Sequence, residues 1–337
     1  MIDIKYIFKK LLIGDLLSFE ESKELFNLII NKEIDPIAIS SILSILSFRG
    51  ESFDEIFGAV NILKEKAKKI QLDGDLIDTC GTGGDNKGSF NISTATAILS
   101  SACGLKVAKH GNRSITSKSG SSDVLTSLGI NIQIDSVKQK KYLNDNNICF
   151  LFAPLYHSSL KNIMDIRQNL PFKTIFNLLG PLLNPAKLKY QLLGVGEKKN
   201  LETHSKCLSR MDLKTSWVVN SKNGYDELTT TSPNFVYKVN NNKVSKLYTI
   251  FPEEAGLKVC NDSEIKGGTP EENAYIMKRL FEGETGAIRD NVLFNTSACL
   301  VISGKVKDLK EGVIYASKQI DNLNAKSKLD QLIISSE

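Results

Sequence analysis

The chain has 337 residues, 41% of them hydrophobic and 24% charged, which is enough for a full buried core and ordinary for a globular fold with one large domain or a large and a small one. No run approaches the roughly 18 apolar residues of a membrane span. The net charge of +5 is spread along a lysine-rich, asparagine-rich chain and forms no tail, so it decides nothing about partners. The six cysteines (Cys80, Cys103, Cys149, Cys207, Cys260 and Cys299) are scattered, which excludes metal-finger spacing and argues against a disulfide framework. The first ten residues lack the order of a signal peptide, so the expected compartment is the cytoplasm.

Residues 1–70 read as helical. Phe19 to Ile30 carries apolar residues at helical spacing. Asp35-Pro36 is an N-cap with proline at the first helical position, opening a helix to Phe48 that Gly50 ends. Ser52 to Lys69 reads as a further helix, with Lys64, Lys66, Lys68 and Lys69 as a solvated face. This segment holds no glycine loop and no catalytic cluster.

From Leu72 the pattern changes to short apolar strands alternating with helices. Strands are expected at Leu76–Thr79, Leu105–Lys109, Asn131–Ile134, Ile148–Phe152, Gln191–Val195 and Thr215–Val219. That alternation predicts an α/β domain with a mostly parallel sheet. Phe235–Val239 and Val244–Tyr248 read as an antiparallel hairpin across an asparagine-rich turn. Helices are expected again at Pro270–Glu282, Ala287–Ile302 and from about Asp308.

The most informative stretch is Asp78 to Thr94. An apolar strand leads into Gly81, Gly83, Gly84 and Gly88, and a helix opens near Asn91, Ile92, Ser93 and Thr94. Strand, glycine loop and helix N-terminus together suit a phosphate, because close backbone N–H groups and the free N–H groups of the first turn favour an anion. The dinucleotide fingerprint is absent, since Asn86 stands where it needs glycine. So is the P-loop ending, since Ser89 stands where it needs lysine. Asp85 would repel a bare phosphate and fits a metal–phosphate complex or a sugar hydroxyl. The competing reading is a tight turn with no ligand.

A second loop, Lys109 to Asp123, holds three cations (Lys109, Arg113 and Lys118), six hydroxyl residues and His110. Loops after successive strands of a parallel sheet gather at its carboxyl edge, so the two loops are expected to face each other. One would supply backbone donors and the other cations, for a ligand with more than one phosphate. Read alone, the competing reading is a polar surface loop. Asp226-Glu227 could meet Mg²⁺, but by itself reads as a solvated pair. Of the other histidines, His204 reads as structural, and His157 has no metal spacing. Arg167 by itself reads as a surface arginine, and Asn177 to Pro185 as a bend between elements.

Taken together, these stretches resemble the anthranilate phosphoribosyltransferases. The matching strings are Asp78 to Asp85, Phe90 to Thr94, Lys109 to Arg113, Ser119 to Asp123, Thr174 to Pro185, Gly224 to Leu228, and Gly267-Gly268 with Asn273-Ala274, in the family's order and over essentially the whole chain. The resemblance implies a small helical domain (residues 1–70, joined by the segment around 165–190) and a large α/β domain (71–337) of the nucleoside phosphorylase/phosphoribosyltransferase type. It implies transfer of the phosphoribosyl group of phosphoribosyl pyrophosphate (PRPP) to the amine of anthranilate, in tryptophan biosynthesis. It also implies Mg²⁺ and a homodimer formed through the helical domain, with no membrane or nucleic-acid partner.

By position, the resemblance implies that Gly81, Gly84, Asp85, Ser89, Asn91, Ile92, Ser93, Thr94, Lys109 and Ser121 hold the donor. Ser93, Asp226 and Glu227 would hold Mg²⁺. Gly81, His110, Asn112 and Arg167 would meet anthranilate, Arg167 at its carboxylate. No covalent nucleophile is assigned. The run Met164-Asp165-Ile166-Arg167 departs from the family's usual Ala-Pro-Val-Arg. Two alternatives share parts of the pattern: a pyrimidine nucleoside phosphorylase, which usually has serine at the place of Gly111, and a non-catalytic nucleic-acid-binding relative, which would be expected to lose the Asp226-Glu227 pair.

Overall fold

The computed structural model describes residues 3–114 and 118–336, so Thr116 and Ser117, two hydroxyl residues of the second loop, lie outside the described residues. The chain forms two compact units, one of Met1–Lys69 with Pro154–Pro185 and the other of Ile70–Ala153 with Ala186–Glu337.

The first unit is helical: Ile4–Leu12, Phe19–Ile30, Pro36–Arg49 and Phe53–Lys66, then the short returning helices Met164–Asn169 and Ile175–Leu179. Its helix starts are written locally. Ser18 and Ser52 each form a capping box with the glutamate three residues on, and Asp35 accepts from Ile37 N–H ahead of Pro36. Glu55 goes beyond capping. It is fully buried, accepts from Leu17 N–H at 2.9 Å and Ser52 N–H at 2.8 Å, and pairs with Arg49. A buried carboxylate with every oxygen engaged is tolerable where a lone one is not. The returning segment is held by Phe176 edge-on to Phe26 at 5.6 Å and by Asn162 donating to Ile30 O at 2.7 Å.

The helix expected to reach Lys69 stops at Lys66, and its solvated lysine face is incomplete. Lys66, Lys68 and Lys69 are exposed, but Lys64 is half-buried, and that burial lowers its pKa, with Lys69 adding to the effect. Apolar surface remains outside the unit's core. Leu12, Ile13, Ile37 and Phe48 are 72%, 70%, 78% and 95% exposed, on or beside the packed helices Ile4–Leu12 and Pro36–Arg49.

The second unit is built on one sheet. Its strands are β1 (Leu76–Gly81), β2 (Lys106–Gly111), β3 (Ile148–Phe152), β4 (Tyr190–Gly194), β5 (Thr215–Ser221), β6 (Asn234–Asn240), β7 (Lys243–Val244) and β8 (Tyr248–Ile250). The order is β3-β2-β1-β4-β5-β6-β7, with β8 also on β6. The first five strands run parallel and the last three antiparallel. β3 and β4 are buried along their whole length, as parallel strands covered on both faces are. Strand order reverses between β1 and β4, so the crevice beyond the ends of those two strands is where such a sheet binds ligands. The glycine loop leaves β1 at that point.

Three expectations fail in detail. Residues 131–134 form no strand: Asn131 Oδ1 accepts from Gln133 N–H at 2.9 Å, a local turn that competes with a sheet ladder. The hairpin after β6 turns on Asn241 and Asn242, both at positive φ, but its return strand is broken. Ser245 takes both backbone groups of Lys238 there, leaving β7 and β8 as separate pieces. The last predicted helix is two, Leu309–Asp321 and Asn324–Ile334, divided where Leu323 adopts φ 60°.

Candidate active site

The glycine loop begins with a close approach of backbones. Gly81 ends β1 beside Gly194, the end of β4. A methyl group on Gly81 would lie 2.1 Å from Asp226 Oδ2, and one on Gly194 would lie 1.5 Å from Asp226 O. No side chain fits at either place, so the two glycines form a floor on which the Asp226 segment rests. Gly83 and Gly84 then take φ of 66° each, which L side chains rarely adopt. This turn presents the Gly83 N–H to Asp226 Oδ2 at 2.7 Å. Asp85 Oδ1 accepts from Lys87 N–H at 3.0 Å, and Ser89 and Phe90 are held against Ile265–Gly267 by backbone bonds.

The helix Ile92–Ala102 opens at the crevice. Asn91 is its N-cap residue, yet its side chain caps nothing. Glu227 does that work from another segment: its Oε1 accepts from Ser93 N–H at 2.9 Å. Thr79 Oγ1 donates to Ser93 O at 2.9 Å, tying the first turn to β1. Ser93 and Glu227, widely separated in sequence, are therefore neighbours, as are Gly83 and Asp226.

The solvated reading of Asp226-Glu227 is overturned. Glu227 Oε2, Asp85 Oδ2 and Thr94 Oγ1 are enclosed and lack a hydrogen-bond partner among the described residues. Burial, with the neighbouring charge of Asp85, raises the Asp226 pKa to about 7. Burial and the charges of Asp226 and Asp85 push Glu227 well above the carboxylate range. Neighbouring carboxyl groups, two of them with an unsatisfied oxygen, are costly without a cation.

Among the described residues no three His, Cys, Asp or Glu side chains form a preformed metal cage. That suits Mg²⁺, which takes one or two carboxylates and completes its shell with water and substrate phosphate. The donor set here, hard oxygen atoms at a helix N-terminus, fits that ion.

The strand and loop that carry Lys109 are equally tied down. Lys109 is buried, with its Nζ donating to Thr79 O, so it stands beside the glycine strand. His110 N–H donates to the buried Asp78 at 3.2 Å. Asp123 Oδ2 accepts from both Ser114 N–H and Gly120 N–H at 3.0 Å, clasping the two ends of the second loop. Ser121 Oγ donates to Asn112 O at 3.2 Å. Lys109 and Ser121 line a small hollow together with Leu125, Ile132, Phe150 and Phe152.

Every candidate donor and metal residue, with Gly81, His110 and Asn112 of the acceptor set, lies in the α/β unit. Arg167 belongs to the helical unit, on Met164–Asn169, where its guanidinium lies 5.5 Å from the Phe176 ring centroid and burial lowers its pKa. It is half-buried, not the surface arginine of the unaided reading. His204 is structural as expected, fully buried and bonded to Asn200 O at 2.9 Å. Sequence reasoning missed Gly194, Asp78 and Asp123 as supports. Their signals were a glycine at a strand end and acids flanking the two loops.

Residues 5–67 match the helical bundle domain of a glycosyl transferase family, and residues 73–326 match its a/b domain. The chain is 42% identical over 329 residues to the anthranilate phosphoribosyltransferase of Petrotoga mobilis, covering 97% of this chain and 95% of that protein. The solved enzyme of Thermus thermophilus superposes with a TM-score of 0.90 at 35% identity, covering 97% of this chain and 98% of the other. The Saccharomyces cerevisiae enzyme in complex with PRPP and Mg gives 0.91 at 28% identity, covering 99% and 97%. The chain belongs to the anthranilate phosphoribosyltransferases. It is a pentosyl transferase of tryptophan biosynthesis, passing the phosphoribosyl group of PRPP to the amine of anthranilate with release of pyrophosphate. The nucleoside phosphorylase and nucleic-acid-binding alternatives fall to these matches.

Proposed function

We propose the following division of labour for the transfer. The observation that carries it is the enclosed, unpartnered oxygen on each of Asp85 and Glu227, with Asp226 beside them, near the N-terminus of Ile92–Ala102 and Lys109. Gly81, Gly84, Asp85, Ser89, Asn91, Ile92, Ser93, Thr94, Lys109 and Ser121 receive PRPP. Ser93, Asp226 and Glu227 would hold Mg²⁺, which would supply neutralisation of charge on the pyrophosphate leaving group. Loop N–H groups and Lys109 stabilise the same leaving group as the bond to the anomeric carbon breaks.

The aromatic amine of anthranilate is uncharged at neutral pH, so it attacks without a strong base. The remaining rate gain is positioning, on the order of several kcal/mol. Gly81, His110, Asn112 and Arg167 take the acceptor, with Arg167 as partner of its carboxylate.

The exposed apolar side chains of Leu12, Ile13, Ile37 and Phe48 support a homodimer formed through the helical unit. Six free cysteines support a reducing, cytoplasmic setting. No described helix is long and apolar enough to cross a membrane.

The deciding assay follows loss of anthranilate fluorescence with PRPP and Mg²⁺. Turnover that needs all three components is expected. Folded protein that gives no loss would sink the assignment.

A further inference from the structure

We propose that Asn273 is a positioning residue for donor binding: it fixes the side-chain amide of Asn91 so that Asn91 offers PRPP a donor and not an acceptor. The inference rests on the reading of Asn91 as a donor-binding residue. Asn273 lies in the first turn of the helix Pro270–Phe281, a place where asparagine usually faces water, yet it is 1% exposed. Its polar atoms serve other segments. Oδ1 accepts from Gly268 N–H at 2.8 Å, and Nδ2 donates to Asn91 Oδ1 at 2.8 Å and weakly to Gly268 O at 3.4 Å. Asn91 Oδ1 accepts a second bond from Ser119 Oγ at 3.0 Å, and Asn91 Nδ2 donates to Ser119 O at 3.2 Å.

The direction of this chain is dictated at both ends by backbone groups. Gly268 N–H can only donate, so Asn273 must turn its oxygen to it and its NH₂ to Asn91. Ser119 O can only accept, so Asn91 must turn its NH₂ to the second loop. Both acceptor sites of Asn91 Oδ1 are then used, and its amide has one N–H left. A phosphate oxygen needs a donor. A flipped amide would show it an oxygen lone pair instead. The same network docks the second loop, through Ser119, onto the helix N-terminus at Asn91. It also explains why Asn91 sits at an N-cap without capping: its oxygen is committed elsewhere, and Glu227 covers the first turn.

The test is a double-mutant cycle on the full-length enzyme with Mg²⁺ present, using Asn91→Ala, Asn273→Ala and the double variant. The readouts are KM for PRPP, kcat, and PRPP affinity by calorimetry. Asn273→Ala is expected to raise KM for PRPP roughly two- to tenfold, the size of one neutral hydrogen bond, with a smaller change in kcat. In the Asn91→Ala background the same change should add nothing. Additive effects, or no effect of Asn273→Ala where Asn91→Ala has one, would overturn the inference while leaving the donor site in place. No effect of Asn91→Ala on PRPP would overturn the donor role of Asn91, and the inference with it. Should Asn273→Ala fail to fold, Asn273→Asp keeps the bond from Gly268 N–H but removes the donor to Asn91. Its excess KM over wild type should shrink in the Asn91→Ala background, and an undiminished excess would count against the coupling.

Discussion

The two units depart from the ordinary rules of burial in opposite directions. The helical unit satisfies its buried carboxylate, Glu55, with three partners, but leaves Phe48, Ile37, Leu12 and Ile13 in water. The α/β unit buries its parallel strands, but leaves oxygens of Asp85, Glu227 and Thr94 enclosed and without a hydrogen-bond partner among the described residues. Exposed apolar area costs little in a lone chain and gains on contact with another apolar surface. Enclosed carboxylates cost much in the empty fold and gain when a cation and its phosphates arrive. The first mismatch asks for a protein surface and the second for a charged ligand. On the reading proposed above, assembly falls to one unit and donor chemistry to the other.

The largest effect should come from removing the second mismatch. Asp226→Asn with Glu227→Gln keeps the shapes that rest on Gly81 and Gly194 and takes away the charge. Turnover should fall by roughly 10²–10³, the scale seen when electrostatic stabilisation of a reacting group is lost. The metal-free protein should be no less stable than wild type at neutral pH and above, because two buried acids that resist ionisation have gone. Steady-state rates across a Mg²⁺ titration, with thermal melts beside them, give both answers. Wild-type turnover at low Mg²⁺ would falsify the metal role.

Arg167 sharpens the contrast, because it is the one candidate chemical residue carried by the helical unit. If its guanidinium meets the anthranilate carboxylate, Arg167→Ala removes a charge-assisted bond worth roughly 1.5–3 kcal/mol. KM for anthranilate should then rise about ten- to hundredfold, while the constant for PRPP barely moves. Lysine should rescue in part, keeping charge but losing the planar fork. An effect confined to PRPP would move Arg167 to the donor, and no effect on either constant would end its functional role. A smaller change is expected from Phe48→Ala. Part of the roughly 1.5–3 kcal/mol of a buried phenylalanine would be lost from a dimer contact, so the dissociation constant should rise about tenfold by sedimentation. Turnover at saturating enzyme concentration should hold. A wild-type protein that is monomeric at micromolar concentration would remove the explanation for the exposed apolar face.

Legibility in the sequence followed the range of the forces involved. The capping boxes at Ser18 and Ser52, the Asp35-Pro36 start and the Asn241-Asn242 turn are set by neighbours in the chain, and each could be read locally. The glycine loop was legible as a phosphate loop because its glycine density has few other uses. What escaped depends on approach between distant segments. Asp226 and Glu227 looked solvated because nothing nearby in sequence reveals the floor of Gly81 and Gly194 or the Ser93 N–H that Glu227 caps. Lys64 looked solvated because its helix face was read without the segment around His157, which senses its charge. Residues 131–134 had the alternation of a strand, but a single asparagine side chain redirected the backbone.

The smallest effect sets the two units against each other in one titration. In the helical unit His157 is buried, and burial lowers its pKa from 6.5 to about 4, so the fold holds it neutral. A histidine with a depressed folded pKa contributes stability that is complete above about pH 6.5 and is lost as the pH falls toward 4. In the α/β unit Asp226 is raised from 3.8 to about 7, and Glu227 is raised with it. For an acid raised in this way the relative stability is complete below the unfolded pKa and is lost as the pH climbs through 7. Acidification from about pH 6.5 to pH 5 therefore weakens one unit and strengthens the other. Each single proton contributes at most about 1.4 kcal/mol per pH unit. The metal-free wild type should show a shallow net pH dependence over that window. His157→Gln should expose the carboxylates' contribution, with stability rising on acidification. Asp226→Asn with Glu227→Gln should expose the histidine, with stability falling. Hydrogen exchange resolved by segment assigns each change to its unit, since protection in Phe19–Ile30 and in Ile92–Ala102 should move in opposite senses. Saturating PRPP with Mg²⁺ should abolish the carboxylate contribution and leave that of His157. Two variants with the same slope as wild type would show that neither group is held out of its ordinary protonation state.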